Sequence, residues 1–204
     1  LKDIYLTINE VYEATYKDKG SRFIAFAHHI DNSAQAKLLL DQYRKDAKYK
    51  SACHFCYAYK LGATDSNIRS SDDGEPSGTA GKPILNQIES FKLSDIFVVV
   101  IRFFGGTLLG TSGLIQAYKQ VTINCLLNAK PVEVILKRNL SITFSYHLQS
   151  EIERMLKNFT IQFEEKNFEE NVNFKITIKA GEFNALQQTL GKSAISNQIK
   201  LHEY

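Results

Sequence analysis

Apolar positions along this chain change their period in a legible order. From Ile96 to Ile101 every residue is apolar and most are β-branched, the composition of a strand buried on both faces. That run ends in Arg102, Phe103 and Phe104, passes through Gly105-Gly106-Thr107-Leu108-Leu109-Gly110-Thr111-Ser112-Gly113, and resumes at helical spacing through Leu114, Ile115, Ala117, Tyr118 and Val121. The stretch from Ser94 to Tyr118 therefore predicts a strand, a glycine-rich loop and a helix start where free backbone N–H groups gather, an arrangement able to receive an anion.

Upstream, residues 4–16 and 21–30 are rich in Ile, Val, Tyr, Thr and Phe and read as two strands joined by a tight turn at Lys17-Asp18-Lys19-Gly20. Ser33 is placed to cap a helix in which Ala36, Leu39, Leu40 and Tyr43 recur at helical spacing, with Lys37, Arg44, Lys45 and Lys48 on the remaining surface. A strand from Ala52 to Leu61 follows, then a neighbour that includes Asn67 to Ser70, then a polar loop entering a helix at 84–91. Lys130-Pro131 stops the long helix and marks a domain boundary.

Beyond that boundary the pattern reads strand (139–146), helix (149–158), strand (160–165), strand (172–179), helix (182–191) and strand (198–202). The order βαββαβ is the ferredoxin-like arrangement of a four-stranded sheet with two helices on one face. The expected fold is α+β in two domains, 1–134 an α/β sandwich and 135–204 ferredoxin-like. The second domain shows no catalytic cluster: His147 reads as a surface or capping residue, and Glu164-Glu165 with Glu169-Glu170 as a solvated acidic turn.

Composition narrows the functional classes. The chain has 204 residues and 44% apolar content, enough for one large or two small cores. Lys and Arg number 25 against 22 Asp and Glu, a net charge of +3, which lacks the strong basic bias of an obligate nucleic-acid binder but leaves room for a local basic patch. No apolar run is long enough to span a bilayer and the amino terminus lacks the pattern of a signal peptide, so the expected location is cytoplasmic. Three cysteines argue against a disulfide framework. Cys53 and Cys56 form a C-x-x-C within an alternating segment, where residues three apart point to opposite faces and are poorly placed to share a zinc ion. Buried free thiols are expected, with no metal and no cofactor.

Two loops carry the candidate chemistry. Gly105 and Gly110 have P-loop spacing, but Thr111 stands where the phosphate-binding lysine belongs, and the dinucleotide pattern G-x-G-x-x-G is not met. A purely structural role for these glycines, in a tight turn and a close helix–sheet approach, is the competing reading. The loop Ser71-Asp72-Asp73-Gly74-Glu75-Pro76-Ser77-Gly78-Thr79-Ala80-Gly81-Lys82-Pro83 offers three carboxylates within four positions. They suit a hard cation, acid–base work, or a corner in which Ser77 or Thr79 caps the next helix. If the strand ending in Arg102 lies beside this loop, carboxylates, an arginine and two helix starts surround one cleft, as in many phosphate sites.

Lys19-Gly20-Ser21-Arg22-Phe23, the strand His54…Cys56…Ala58-Tyr59, Asp72-Asp73-Gly74-Glu75-Pro76-x-Gly78-Thr79-Ala80-Gly81-x-Pro83-Ile84-Leu85, and Arg102-x-Phe104-Gly105-Gly106-Thr107-x-Leu109-Gly110 through Ala117-Tyr118 together resemble the YigZ/IMPACT family. The similarity spans both domains. It implies an amino-terminal domain like the second domain of a ribosomal small-subunit protein and a carboxy-terminal domain like those of elongation factor G. It also implies a link to translation: eukaryotic members compete for the activator of a starvation-responsive initiation-factor kinase, and bacterial members are suspected nucleic-acid binders. Many relatives place lysine where Leu108 stands and arginine where Gln116 stands, so a phosphate contact there is weakened in this chain.

The leading expectation is a non-enzymatic regulatory or binding protein that recognises RNA, the ribosome or a translation-associated protein, with no membrane and no DNA sequence specificity. Its recognition surface is expected at His54, Asp72, Asp73, Glu75, Gly78, Thr79, Arg102, Gly105, Gly106 and Gly110, flanked by Arg44, Lys45 and Lys48. The alternative is a metal-dependent enzyme on a small phosphorylated or anionic substrate, with Asp72, Asp73 or Glu75 as metal ligand or base and His54 as acid or base. A third reading makes Asp72, Glu75 and Arg102 an internal salt-bridge network that only fixes loops.

Overall fold

A computed structural model describes residues 4–63, 67–193 and 195–204. The chain divides into two units, one of Tyr5–Val134 and one built on Ile135–Tyr204.

The first unit begins with β1 (Ile4–Thr7), β2 (Tyr12–Asp18), β3 (Ser21–His29), α1 (Ser33–Lys45), β4 (His54–Lys60) and β5 (Ile68–Ser71). It continues with α2 (Gly81–Ser90), β6 (Ile96–Phe103), α3 (Gly110–Leu127) and β7 (Val132–Ile135). Five strands form an antiparallel sheet in the order β2-β3-β6-β4-β5. The apolar run from Ile96 to Ile101 becomes the central strand, hydrogen-bonded on both edges and buried through Arg102. Alternation along it sorts two cores. Ile96, Val98 and Val100 join Phe23, Ala25, Cys56 and Ala58 beneath α2 and α3, while Phe97, Val99 and Ile101 join Ile24, Phe26 and Phe55 beneath α1. Each fully buried Val, Ile or Phe contributes about 1.5–3 kcal/mol, so this strand anchors both faces.

The same alternation decides where the polar ends of the strands point. Arg102 continues the 96-98-100 series and His54 precedes Cys56 on β4, and the two are register partners. Both side chains therefore belong to the α2/α3 face.

Three local readings change. Residues 4–16 are not one strand: Ile8–Val11 interrupts them, and β1 pairs with β7 in a separate two-stranded ribbon, leaving β2 alone to pair with β3. The α1 cap is Asn32, whose side chain accepts from the Gln35 N–H, not Ser33. The last helix of this unit begins at Gly110, so Thr111-Ser112-Gly113 form its first turn and not the loop.

The second unit contains β8 (Lys137–Phe144), α4 (Gln149–Leu156), β9 (Ile161–Phe168), β10 (Val172–Lys179), α5 (Phe183–Lys192) and β11 (Lys200–Glu203). Its antiparallel sheet has the order β11-β8-β10-β9, the ferredoxin-like topology. Leu140, Ile142, Phe144, Phe174 and Ile176 pack against Ile152, Leu156, Leu186 and Leu190 of the two helices. His147 is exposed. Glu164 and Glu165 lie within β9 and not in a turn; this edge strand is mostly exposed, and Glu165 pairs with Lys175 across to β10 at 2.6 Å. Among the described residues, no helix is long and apolar enough to cross a membrane.

Candidate functional site

Strand β6 delivers Arg102 to the end of the α2/α3 core, where the residue is only 5% exposed. A charge this far from water requires a partner. Glu75 supplies it: Arg102 Nη1 donates to Glu75 Oε1 at 2.6 Å, and that same oxygen accepts from the Tyr118 hydroxyl of α3 at 2.8 Å. His54 Nε2 lies 3.9 Å from it. Arg102 Nη2 reaches Ser21 Oγ at 3.5 Å, and the guanidinium carbon lies 5.5 Å from the Phe23 ring centre and 5.8 Å from that of Phe104. Arg102 Nε is buried and has no hydrogen-bond partner.

The three carboxylates of the acidic loop take three separate sets of partners. Asp72 accepts from the backbone N–H groups of Gly78, Ala80 and Gly81 at 2.8, 3.0 and 2.8 Å, so it caps α2 from a distance. Partial burial alone would raise the Asp72 carboxyl, and the three amide donors outweigh it and hold the group below its usual value. Asp73 accepts from Phe55 N–H at 2.6 Å and pairs with Arg44 at 2.5 Å. Its carbonyl lies 2.8 Å from His54 Nδ1, which places a proton on that nitrogen. Only Glu75 turns into the protein.

Ser77 and Thr79 do not cap α2, whose cap residue is Ala80 with no side-chain bond. Buried Thr79 donates instead to the Pro76 carbonyl at 2.6 Å, and Gly78 is a positive-φ turn residue whose N–H serves Asp72. Among the described residues, no group of three His, Cys, Asp or Glu side chains is arranged to hold a metal ion.

Gly105 explains itself by contact. A methyl group at its Cα would stand 1.8 Å from the Gly20 carbonyl carbon and 2.1 Å from the Ser21 nitrogen, so the loop after β6 lies directly against the β2–β3 turn. Gly106 faces open space at φ +86°.

The walls of one groove are thereby defined. A cavity of about 400 Å³ is lined by His54, Glu75 and Arg102 on its floor, and by Pro76, Phe104, Leu108 and the start of α3 on its rim. Of the residues expected at the surface from sequence, His54, Glu75, Arg102 and Gly110 line this groove. Asp72, Asp73, Gly78, Thr79, Gly105 and Gly106 do not; they shape the loops that bound it. Arg44 turns to Asp73 and with Lys37 lines a different concavity beside α1. Phe104 and Leu108 are 48% and 83% exposed.

Sequence reasoning missed Tyr118, Ser21 and Cys56 as members of the polar cluster. Tyr118 sits four residues after Leu114 in an apolar helical stripe and reads as core, and it is fully buried; only its hydroxyl betrays it. The Cys56 thiol lies 3.0 Å from the Asp72 carbonyl oxygen and 3.2 Å from the Tyr118 hydroxyl, and burial pushes its ionisation well above the ordinary thiol value, so it is no nucleophile. Cys125 is likewise buried, whereas Cys53 is exposed, against the expectation of buried thiols throughout.

Comparison with known proteins agrees with this architecture. The Impact N-terminal domain matches residues 19–126. The chain is 34% identical over 196 residues to IMPACT family member YvyE of Bacillus subtilis, covering 94% of this chain and 89% of that protein. It is 45% identical over 102 residues to IMPACT family member YigZ of Escherichia coli, about half of each chain. A crystal structure titled only as that of a hypothetical protein superposes with a TM-score of 0.69 at 28% identity, covering 98% of this chain and 97% of the other. A domain match across more than half of the sequence, joined to a near full-length relative, establishes that this chain belongs to the IMPACT family.

Proposed function

We propose that this protein is a non-enzymatic regulatory or binding protein linked to translation, acting in the cytoplasm, and that a protein partner docks in the groove between the Glu75 loop and the start of α3. Membership of the IMPACT family supports the link to translation. The observation that carries the docking reading is the state of Arg102. Its charge is already paired with Glu75 and buried under an apolar rim, so the groove offers no free cation to draw in a polyanionic backbone. Lysine is absent from the lining and Leu108 projects from it. An apolar rim around a floor whose charges are already paired suits a protein surface better than an RNA backbone.

The enzymatic reading finds less support. Each carboxylate of the acidic loop is occupied and the nearby thiol is held protonated by burial.

Adding the purified chain to a cell-free translation reaction, beside a Leu108→Glu variant, tests the proposal. The wild-type chain changes reporter output and the variant does not. Co-sedimentation with ribosomal subunits at low and physiological salt identifies whether the partner is ribosomal. Unchanged output together with no sedimentation at low salt refutes the reading.

A further inference from the structure

The groove brings together two sets of hydrogen-bond donors that lack acceptors. The first is the start of α3. This 18-residue helix has Leu109 as its cap residue, so no cap side chain accepts its leading N–H groups, and its first turn contains no acidic residue. Among the described residues, no side chain accepts a hydrogen bond from the N–H groups of Thr111, Ser112 or Gly113. Gly110 and Thr111, which open the helix, line the groove, so the positive end of the helix dipole meets it without a side-chain cap. The second is Arg102 Nε, a buried donor with no partner on a side chain that lines the same groove. An unmatched donor in the interior carries a desolvation penalty that an arriving acceptor removes. The half-exposed Phe104 ring lies over this guanidinium, so an acceptor reaches Nε only when that ring turns aside.

We infer, building on the docking reading above, that the groove takes an acidic–apolar protein segment: a carboxylate seated on the first turn of α3 and on Arg102 Nε, with a bulky aliphatic or aromatic neighbour packed on Leu108, Leu109 and Leu114. The carboxylate sits on the Thr111 side of the floor, because Glu75 already occupies the Nη1 side of Arg102. The apolar rim selects the neighbour. An RNA phosphate satisfies the helix start equally well, but its sugar and its flanking charges meet Pro76, Phe104, Leu108 and Leu114 on the rim and the Glu75 carboxylate on the floor.

The test uses the full-length, isotope-labelled chain and NMR. It is titrated with a pool of acetylated, amidated pentapeptides carrying Asp between Leu, Ile or Phe residues, with the matching Asn pool, and with oligouridylate. The Asp pool shifts the backbone amides of residues 110–113 and the Arg102 Nε–H signal, and the Asn pool binds about tenfold more weakly. Thr111→Glu, an exposed first-turn change that places a carboxylate on the helix start from within the chain, keeps the melting temperature and loses the Asp pool. Equal binding of the two pools, no shift from either, an unaffected Thr111→Glu variant, or shifts from oligouridylate alone overturns the inference. A chain that alters translation yet ignores both pools loses this inference only. One that binds the Asp pool without affecting translation keeps it and loses the translation link.

Discussion

Glu75 and Arg102 meet at 2.6 Å with both side chains almost wholly removed from water, and the buried Tyr118 hydroxyl of α3 completes the contact. Removing one partner strands the other in the interior. Arg102→Ala is expected to cost about 3–5 kcal/mol, whereas Arg102→Met combined with Glu75→Gln is more stable than the single variant by about 2 kcal/mol or more. Urea unfolding of the three chains measures the difference. Equal losses in both variants would show that packing and not charge governs the site.

The distant cap on α2 makes a pH prediction. Asp72 sits below its usual value of 3.8 in the folded state, because its three amide donors outweigh the opposing effect of burial. The unfolded chain therefore takes up this proton first as pH falls. The contribution to stability is whole above the unfolded value and is lost as pH drops through the folded one. Asp72→Asn flattens the stability–pH curve over that acid window, and Asp72→Ala costs roughly 1–2 kcal/mol at neutral pH, the usual range for a lost cap. Thermal melts from roughly pH 2 to pH 7, which take in the acid side of the ordinary carboxylate value, read both effects.

Two neighbouring glycines should behave differently. Gly105→Ala drives a methyl group into the backbone at Gly20 and Ser21, and rigid backbone has nowhere to go, so a loss of more than about 3 kcal/mol or failure to fold is expected. Gly106→Ala meets open space and pays only for its left-handed φ, about 1 kcal/mol. Denaturation midpoints of the two variants provide the comparison.

Thiol reactivity should divide the cysteines. Cys53 is exposed, Cys56 is buried against Tyr118, and burial pushes Cys125 up to about 12. A thiol reagent at mild alkaline pH labels one cysteine rapidly in the native protein and the other two only on unfolding. Mass spectrometry of the labelled peptides identifies Cys53 as the fast site, and rapid modification of Cys56 would contradict the burial described.

Periodicity carried most of the architecture. The run from Ile96 to Ile101 could only be a doubly covered strand, and the alternation at Leu140-Ile142-Phe144 and Val172–Ile178 yielded the ferredoxin-like order. Breaks caused by partner choice were invisible: nothing local in residues 4–16 says that β1 leaves its neighbour for β7. Capping also hid, because α2 is capped by Asp72, eight residues before its cap position. At the site, the convergence of Glu75 and Arg102 could be anticipated from charge, whereas Tyr118 could not. A tyrosine on an apolar stripe announces its ring and conceals its hydroxyl, and only the fold brings that oxygen to the carboxylate.

Leu108 takes no part in either apolar core of its unit, yet it stands at the edge of the groove. The scaffold is thus insensitive to what occupies this position, while on the docking reading proposed above a bound segment touches it. On that reading, exchanging a single protruding side chain would give the same mount a different fitting without the folding problem being solved again.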